Sequence, residues 1–275
     1  MLAVAIIVFR ETLEAALIVS IVLAASLGAP GRGRWIAGGV AAGAIGSGIV
    51  ALFAAGIAQA FAGNGQELLN ATILCLAVCM LGWHNVWMAH HAKEMAGDAR
   101  ALGRQVAAGA RPLAALAVIT GAAVLREGSE TVLFVFGVIA SSNDAPLLMF
   151  AGGVLGLLAG VAVGAALYFG LLRIPVQRLF AVTSGMVLLL AAGLASQAAA
   201  FLVQANILPP LGNEIWDTSF MLTENSIPGR VLHTLIGYVA RPEGIQLVAF
   251  VATLLAIGIP MRLIARPNRV AAVAE

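Results

Sequence analysis

The chain contains 275 residues, of which 61% are hydrophobic and 10% are charged, with a formal net charge of +2 and a mean hydropathy of +1.00. Soluble domains carry about 25% charged residues, so this composition excludes a water-exposed globular protein and indicates an integral membrane protein. No basic segment with interleaved aromatic residues occurs, which argues against binding to nucleic acid.

Seven long apolar segments follow one another along the chain. Lipid cannot satisfy backbone polar groups, so continuous apolar segments of about 20 residues predict transmembrane helices and an all-α fold. The predicted spans lie near 2–27, 35–61, 67–90, 113–140, 147–171, 177–204 and 245–264. Segment 205–244 is more polar and predicts an external loop, in which Val231–Val239 is too short to span and lies on the surface or re-enters.

The first span carries three charged residues in its middle, Arg10, Glu11 and Glu14. A secretory signal peptide has a basic start and an uninterrupted apolar run, and this segment has neither. We therefore expect it to be the first transmembrane helix. The second and fifth spans are instead rich in glycine, which lets neighbouring backbones approach closely.

The third span carries sulfur and imidazole side chains. Cys75, Cys79 and Met80 favour helix packing, and sulfur ligands for a softer metal are the alternative. His84 is open between a secondary metal ligand, a proton acceptor and a hydrogen-bonded packing residue. Two cysteines four residues apart on one helix give no information on the redox compartment.

The first half of the chain is repeated in the second half. Phe9-Arg10-Glu11-Thr12-Leu13-Glu14 matches Leu125-Arg126-Glu127-Gly128-Ser129-Glu130, and the Ala-Gly-Gly-Val runs at 37–40 and 151–154 match in the same order. Each repeat holds three spans, so the two halves cross the membrane in opposite directions. This predicts an inverted repeat, the plan of many secondary transporters, whose substrate site lies near the midplane.

The predicted organisation is a single membrane domain. Its parts are repeat one at about 1–95, repeat two at about 112–204, the external loop at about 205–244 and a seventh helix at about 245–264.

Basic residues alternate between the two sides of the predicted membrane. Eleven are in one set of breaks and two in the other, which places the N-terminus outside and the C-terminus in the cytoplasm. The eleven are Arg32, Arg34, Lys93, Arg100, Arg104, Arg111, Arg173, Arg178, Arg262, Arg266 and Arg269, and the two are Arg230 and Arg241.

The outer side is acidic. Its residues form either an entrance that concentrates cations or an ordinary solvated surface. They are Glu67, Asp144, Glu214, Asp217, Glu224 and Glu243.

The two charged motifs place six ionisable groups at similar depth in the membrane. Carboxylates three residues apart share a helix face, and each Arg lies four residues before the second Glu of its motif. A charge at the bilayer centre costs at least about 2.5 kcal/mol, so these groups cannot face lipid. Four carboxylates and two guanidinium groups leave a charge of −2, which predicts a site for a hard cation.

These motifs resemble the paired Arg-Glu-Gly-Leu-Glu motifs of the oxidase-dependent iron transporter family. That family includes the fungal high-affinity iron permeases and the bacterial iron permeases of three-component uptake systems. Thr12 and Ser129 depart from the pattern, but neither change removes a carboxylate or an arginine. The stretch from Gly229 to Tyr238 also resembles the bacterial members.

The resemblance implies an iron permease, not an enzyme, that moves iron inward across the cytoplasmic membrane. Iron is then the transported substrate, with no permanent cofactor, and a separate iron-oxidising or iron-delivering extracytoplasmic protein is the expected partner. The implied metal ligands are Glu11, Glu14, Glu127 and Glu130, with Arg10 and Arg126 in support and His84 and Glu67 as candidate secondary ligands.

Three other functions are compatible with the sequence. The cargo could be another divalent metal such as lead or manganese. The paired carboxylates could serve an intramembrane enzyme as acid and base, although no Asp-x-x-Asp, His-Glu-x-x-His or Gly-x-Ser-x-Gly motif occurs. The third alternative is conduction of protons alone through the glutamates.

Overall fold

The computed structural model describes residues 1–60, 66–141, 145–170, 176–223 and 226–265, and within these ranges the chain forms eight α-helices and no strand. This all-helical architecture agrees with the predicted fold class. The helices are α1 (Leu2–Ala25), α2 (Arg32–Ala60), α3 (Gln66–Ala107), α4 (Ala114–Ser141), α5 (Pro146–Tyr168), α6 (Val176–Gln204), α7 (Ile227–Ile236) and α8 (Gly244–Ala265).

Helix α3 is much longer than the predicted third span. The span was expected to end near residue 90 and to give way to a basic loop, but the helix continues to Ala107 and carries Lys93, Arg100 and Arg104. The prediction of a loop there was wrong because loss of apolar character marks the edge of the lipid, and the residues beyond it are still good helix formers. A helix of 42 residues is about 63 Å long, roughly twice the thickness of the hydrocarbon core.

Among the described residues, five helices are long and apolar enough to cross a membrane. They are Arg32–Gly56, Glu67–Met88, Pro146–Tyr168, Phe180–Gln204 and Gly244–Leu263. Helices α1 and α4 are equally long, but every stretch of them that could span contains all three charged residues of a motif. The chain is therefore an integral membrane protein. Helices α1 and α4 differ from its five apolar helices because each carries three charged residues near its middle.

Helices α1 and α4 run in opposite directions. The start of α1, with Val4 and Ile7, belongs to the same buried cluster as Phe134 near the end of α4. Val22 near the end of α1 belongs to a second cluster together with Leu116 at the start of α4. An antiparallel pair brings the middles of both helices, where the charged motifs lie, to the same level.

Helix α5 lies against α1 through a row of glycines. A Cβ added at Gly156 would lie 2.4 Å from the carbonyl oxygen of Ala5, so only glycine allows the backbones this close. The buried glycines of α5 occur every four residues and form one face, which consists of Gly152, Gly156, Gly160 and Gly164.

Helix α2 lies against α4 in the corresponding way. A Cβ added at Gly43 would lie 2.5 Å from the carbonyl oxygen of Gly121. The contacted residues of α4 stand 116 positions after their counterparts on α1, which is also the offset between the two motifs. These pairs are Met1 and Ala117, Ala5 and Gly121, and Phe9 and Leu125.

The glycines that make these contacts are 113 positions apart, as in Gly43 and Gly156. The matching Ala-Gly-Gly-Val runs predict 114. The sequence match is therefore one residue out of register with the packing. Glycine and alanine recur throughout these segments, so more than one alignment gives matching residues.

Helix α7 has ten residues and a length of about 15 Å, too short to span a bilayer, as the sequence predicts. The Ser226 side chain caps its first turn by accepting a hydrogen bond from the backbone N–H of Gly229. Gly237 ends the helix with a left-handed φ of 65° and lies against Gly193 of α6. The short helix is thereby fixed to the membrane helices.

Alanine substitution at the glycine contacts should separate the paired helices. We expect Gly43→Ala and Gly156→Ala each to lower the stability by about 1–3 kcal/mol, because the new methyl group meets backbone atoms that cannot move aside. Thermal unfolding of the detergent-solubilised protein measures this. Gly48→Ala on the same helix α2 is the control, since nothing lies within 4 Å of that position. Equal midpoints for Gly43→Ala and Gly48→Ala would contradict the packing argument.

Candidate metal site

Three helices bring ionisable side chains together in the interior. Helix α1 contributes the first motif, α4 contributes the second motif, and α3 contributes His84 between them. The first motif is sealed from solvent, since the side chains of Arg10 and Glu11 are both 1% exposed. In the second motif the Arg126 side chain is 31% exposed, so the two motifs occupy different environments.

Arg10 contacts both carboxylates of its own motif. Its Nη1 donates to Glu11 Oε1 at 3.2 Å, and its Nη2 lies 3.1 Å from Glu14 Oε1. The contact with Glu14 was predicted from the four-residue spacing. The contact with Glu11 does not follow from that spacing, and it forms because a long guanidinium side chain can reach two neighbours at once. Glu11 Oε2 has no hydrogen-bond partner among the described residues.

Arg126 contacts its motif from the opening of the site. Its Nε donates to Glu130 Oε1 at 3.1 Å and lies 3.7 Å from Glu127 Oε1. The guanidinium carbon stands 4.1 Å from the ring centroid of Trp87, a cation–π distance, and Nη1 donates to Met95 Sδ at 3.7 Å. Helix α3 thus supplies the groups that hold Arg126 at the edge of the site.

His84 joins the two motifs. Its Nε2 lies 3.4 Å from Glu14 Oε2 and 3.7 Å from Glu11 Oε2 on α1, while its Nδ1 contacts Glu130 Oε2 on α4. The residue is 3% exposed, and its ring meets the edge of Phe134 with centroids 6.2 Å apart. Both ring nitrogens therefore face carboxylates from opposite halves of the chain.

Four residues each offer a ligand atom, and all four atoms lie within 4.8 Å of one another. They are Glu11, His84, Glu127 and Glu130. Glu14 stands beside this set, between Arg10 and His84. Carboxylate oxygens and an imidazole nitrogen at such separations form a ligand set that suits a divalent metal ion.

A cavity of about 550 Å³ adjoins the site. His84, Arg126 and Glu130 form its polar wall, and the rest is apolar or contains sulfur. Those other residues are Leu76, Cys79, Met80, Trp83 and Trp87. The second motif is therefore the one that opens to a cavity.

The structure separates Glu67 from the other candidate ligands. This residue is exposed in the first turn of α3, 17 residues before His84, which corresponds to about 25 Å along the helix.

The sequence did not indicate the roles of Trp87 and Met95, which contact Arg126. It also missed Asn85, which is 1% exposed and has no hydrogen-bond partner among the described residues. Its polar side chain, next to His84 in an apolar segment, was the sequence feature that could have indicated a place near the site.

Arg241 partly neutralises the acidic residues of the loop between α6 and α8. The Arg241 side chain lies 3.1 Å from Asp217 and 3.7 Å from Glu214, both exposed. Hydrogen bonds from the hydroxyl and the backbone N–H of Ser219 lower the pKa of Asp217 below its usual range. Asp144 and Glu224 lie outside the described residues, as do Arg173, Arg266 and Arg269.

Comparisons with a family profile and with individual proteins point to the same family. The profile of the Iron permease FTR1 family matches residues 1–270. The chain is similar to the Ferrous iron permease EfeU of Yersinia pestis, with 31% identity over 240 residues that cover 86% of this chain and 84% of the relative. It is also similar to the Ferrous iron permeases EfeU of Shigella sonnei and Escherichia coli O157:H7, each 30% identical over 96% of this chain and 97% of the relative. No solved structure matches.

The difference in burial between the two arginines predicts a difference in stability. Arg10→Met leaves two buried carboxylates without their cation, and we expect it to lower the unfolding free energy by about 3–5 kcal/mol. Arg126→Met should have a smaller effect, because its half-open position lets solvent screen Glu130. Unfolding by sodium dodecyl sulfate in mixed micelles compares the two. Equal losses would contradict the view that only the first motif is sealed.

Proposed function

The chain belongs to the Iron permease FTR1 family and is an iron-transporting membrane protein, and on this premise we propose that it carries ferrous iron inward through a site at mid-membrane. The proposed ligands are the motif glutamates, Glu11, Glu14, Glu127 and Glu130, supported by Arg10 and Arg126. Members of this family are transporters, so paired carboxylates need no role in enzyme catalysis.

The observation that carries this proposal is the meeting of carboxylates from both halves of the chain. Glu11 and Glu127 are separated by 116 residues in sequence, yet their ligand atoms lie within 4.8 Å of each other and of Glu130. Like charges at such distances repel strongly in a buried site. A bound cation would offset this repulsion, so cation binding explains why these carboxylates lie so close together.

The charge of the site supports a divalent ion. Four carboxylates and two guanidinium groups leave −2, which Fe²⁺ neutralises and which Fe³⁺ would exceed by one. The names of the relatives specify ferrous iron, in agreement with this balance. Manganese and lead are divalent too, so the charge alone does not separate them from iron.

We further propose that α1–α6 and α8 are seven transmembrane helices, of which the first six form two inverted repeats. The proposed parts remain repeat one at about 1–95, repeat two at about 112–204, the external loop at about 205–244 and the seventh helix at about 245–264. The antiparallel α1 and α4 support this plan, as do the equivalent contacts of α5 with α1 and α2 with α4. Charged α1 and α4 can cross lipid because their motifs face each other.

The proposed path passes the second motif. Helices α1 and α4 are enclosed by the apolar α2 and α5, whereas the cavity beside α3 reaches Glu130 and His84. An ion in this cavity would first meet Glu130 and Glu127, and then Glu11 in the sealed part of the site. Displacement of Arg126 from Trp87 would widen the opening between cavity and site.

A separate extracytoplasmic protein that oxidises or delivers iron is the proposed partner. The alternation of basic residues supports a cytoplasmic membrane location with the N-terminus outside and the C-terminus in the cytoplasm. The loop with Glu214, Asp217 and Arg241 then faces the compartment from which such a partner would come.

Neutral substitution of the central glutamates tests the site. We expect Glu11→Gln and Glu127→Gln each to reduce iron transport roughly tenfold to a hundredfold or more, because each removes a charged ligand and leaves the side-chain volume unchanged. Uptake of radiolabelled Fe²⁺ into proteoliposomes measures this, with Fe³⁺, Mn²⁺ and Pb²⁺ offered separately. Glu67→Gln is the control, since Glu67 lies on α3 about 25 Å along the helix from His84. Normal Fe²⁺ uptake by both central variants would refute the proposal.

Cysteine labelling tests the orientation. In a background with Cys75→Ser and Cys79→Ser, we expect a membrane-impermeant maleimide to label Asn213→Cys on intact spheroplasts. Gly97→Cys, in the long extension of α3, should be labelled only after permeabilisation. Both positions are exposed, so accessibility depends on the side of the membrane alone. The reverse pattern would overturn the assigned orientation.

A further inference from the structure

His84 occupies the centre of the proposed site and is the single imidazole there within the part of the chain that the structure describes. It is 3% exposed, and its two ring nitrogens face three carboxylates, those of Glu11 and Glu14 on one side and Glu130 on the other. The second repeat has no matching group, since α6 contains no histidine between Val176 and Gln204. His84 therefore breaks the symmetry of an otherwise repeated ligand set.

The contacts of His84 differ from those of a packing histidine. A neutral imidazole carries one N–H, so one of its two nitrogens presents a lone pair. In this site both nitrogens face acceptor oxygens, an arrangement that a ring with N–H on both nitrogens would satisfy and that leaves the lone pair of a neutral ring without a favourable partner. A metal ion held among the carboxylates would accept that lone pair.

The position of the ring is fixed by its neighbours. Phe134, which is 0% exposed, meets the His84 ring edge-on with centroids 6.2 Å apart and an interplanar angle of 78°. Phe134 lies on α4 one turn beyond Glu130, so the same helix holds both the ring and a carboxylate that contacts it. A ligand held in this way needs little rearrangement to bind an ion.

We propose that His84 is a nitrogen ligand of the transported ion and that it makes the site selective for transition metals over Mg²⁺ and Ca²⁺. This rests on the proposed function of the glutamate site. Imidazole suits iron and other transition metals, whereas carboxylates alone suit Mg²⁺, Ca²⁺ and Mn²⁺. Without His84, the remaining ligand atoms of the set are oxygens from Glu11, Glu127 and Glu130, which would not exclude hard cations.

Exchange of the nitrogen ligand for an oxygen ligand tests selectivity. Proteoliposomes with the wild-type protein or with His84→Asp are given radiolabelled Fe²⁺ under reducing conditions, with increasing Ca²⁺ or Mg²⁺ as competitor. We expect the competitor concentration that halves iron uptake to fall on the order of tenfold or more in His84→Asp. His90→Asp is the matched control, because His90 is exposed on the same helix and should keep the wild-type selectivity. Unchanged competition in His84→Asp would overturn the proposal.

X-ray absorption at the iron edge tests the bond directly and does not depend on His84→Asp folding. The Fe²⁺-loaded wild-type protein should show the outer-shell scattering of an imidazole ring bound to iron. This signal should be lost in His84→Gln and retained in His90→Gln. A wild-type spectrum with oxygen scattering alone would refute the nitrogen ligand.

The two hypotheses fail in different ways. If Glu11→Gln and Glu127→Gln transport Fe²⁺ normally, the glutamate site itself is wrong and the role of His84 fails with it. If those variants lose transport while His84→Asp keeps its discrimination against Ca²⁺, only the role of His84 is wrong.

Discussion

The structure depends on the requirement that six charged side chains be satisfied inside a membrane protein without contact with lipid. Each of the two motif helices carries one arginine and two glutamates near its middle, where exposure to hydrocarbon costs several kcal/mol per charge. The antiparallel pairing of α1 and α4 meets this requirement, because it brings both motifs to one level. The apolar helices α2 and α5 then shield the pair, and their glycines allow the close contact that shielding needs.

Two motifs that are equivalent in sequence have different roles in the folded protein. Arg10 is enclosed and contacts Glu11 and Glu14, so it acts as a fixed counter-charge. Arg126 is partly exposed, lies over the Trp87 ring and adjoins the cavity, which puts it at the entrance of the proposed path. The difference comes from α3, whose Trp87 and Met95 contact Arg126 beside the cavity and make no such contact with Arg10 among the described residues.

Much of the fold could be predicted from the sequence, since the limits of six spans agree with helices to within about three residues. The physical reason is that lipid imposes a local rule: an apolar segment of sufficient length must be helical, whatever its neighbours. The same rule gave the wrong end for the third span. The rule describes apolar segments only, whereas helix α3 continues through residues 91–107, where Ala99 and Val106 are buried against Val22 and Leu116. The Ala-Gly-Gly-Val match is likewise one residue out of register with the packing of Gly43 and Gly156, because residues that match in sequence need not make equivalent contacts.

The sequence by itself determined the class of protein, its helices, and the pairing of each arginine with the glutamate four residues later. All of these follow from composition and from spacing within one helix. Only the tertiary structure decided that His84 lies between the motifs and that Arg10 also contacts Glu11. These relations join residues on different helices or depend on side-chain reach. Spacing along one helix can indicate which face of α3 is buried, but it does not specify that this face meets α1 and α4.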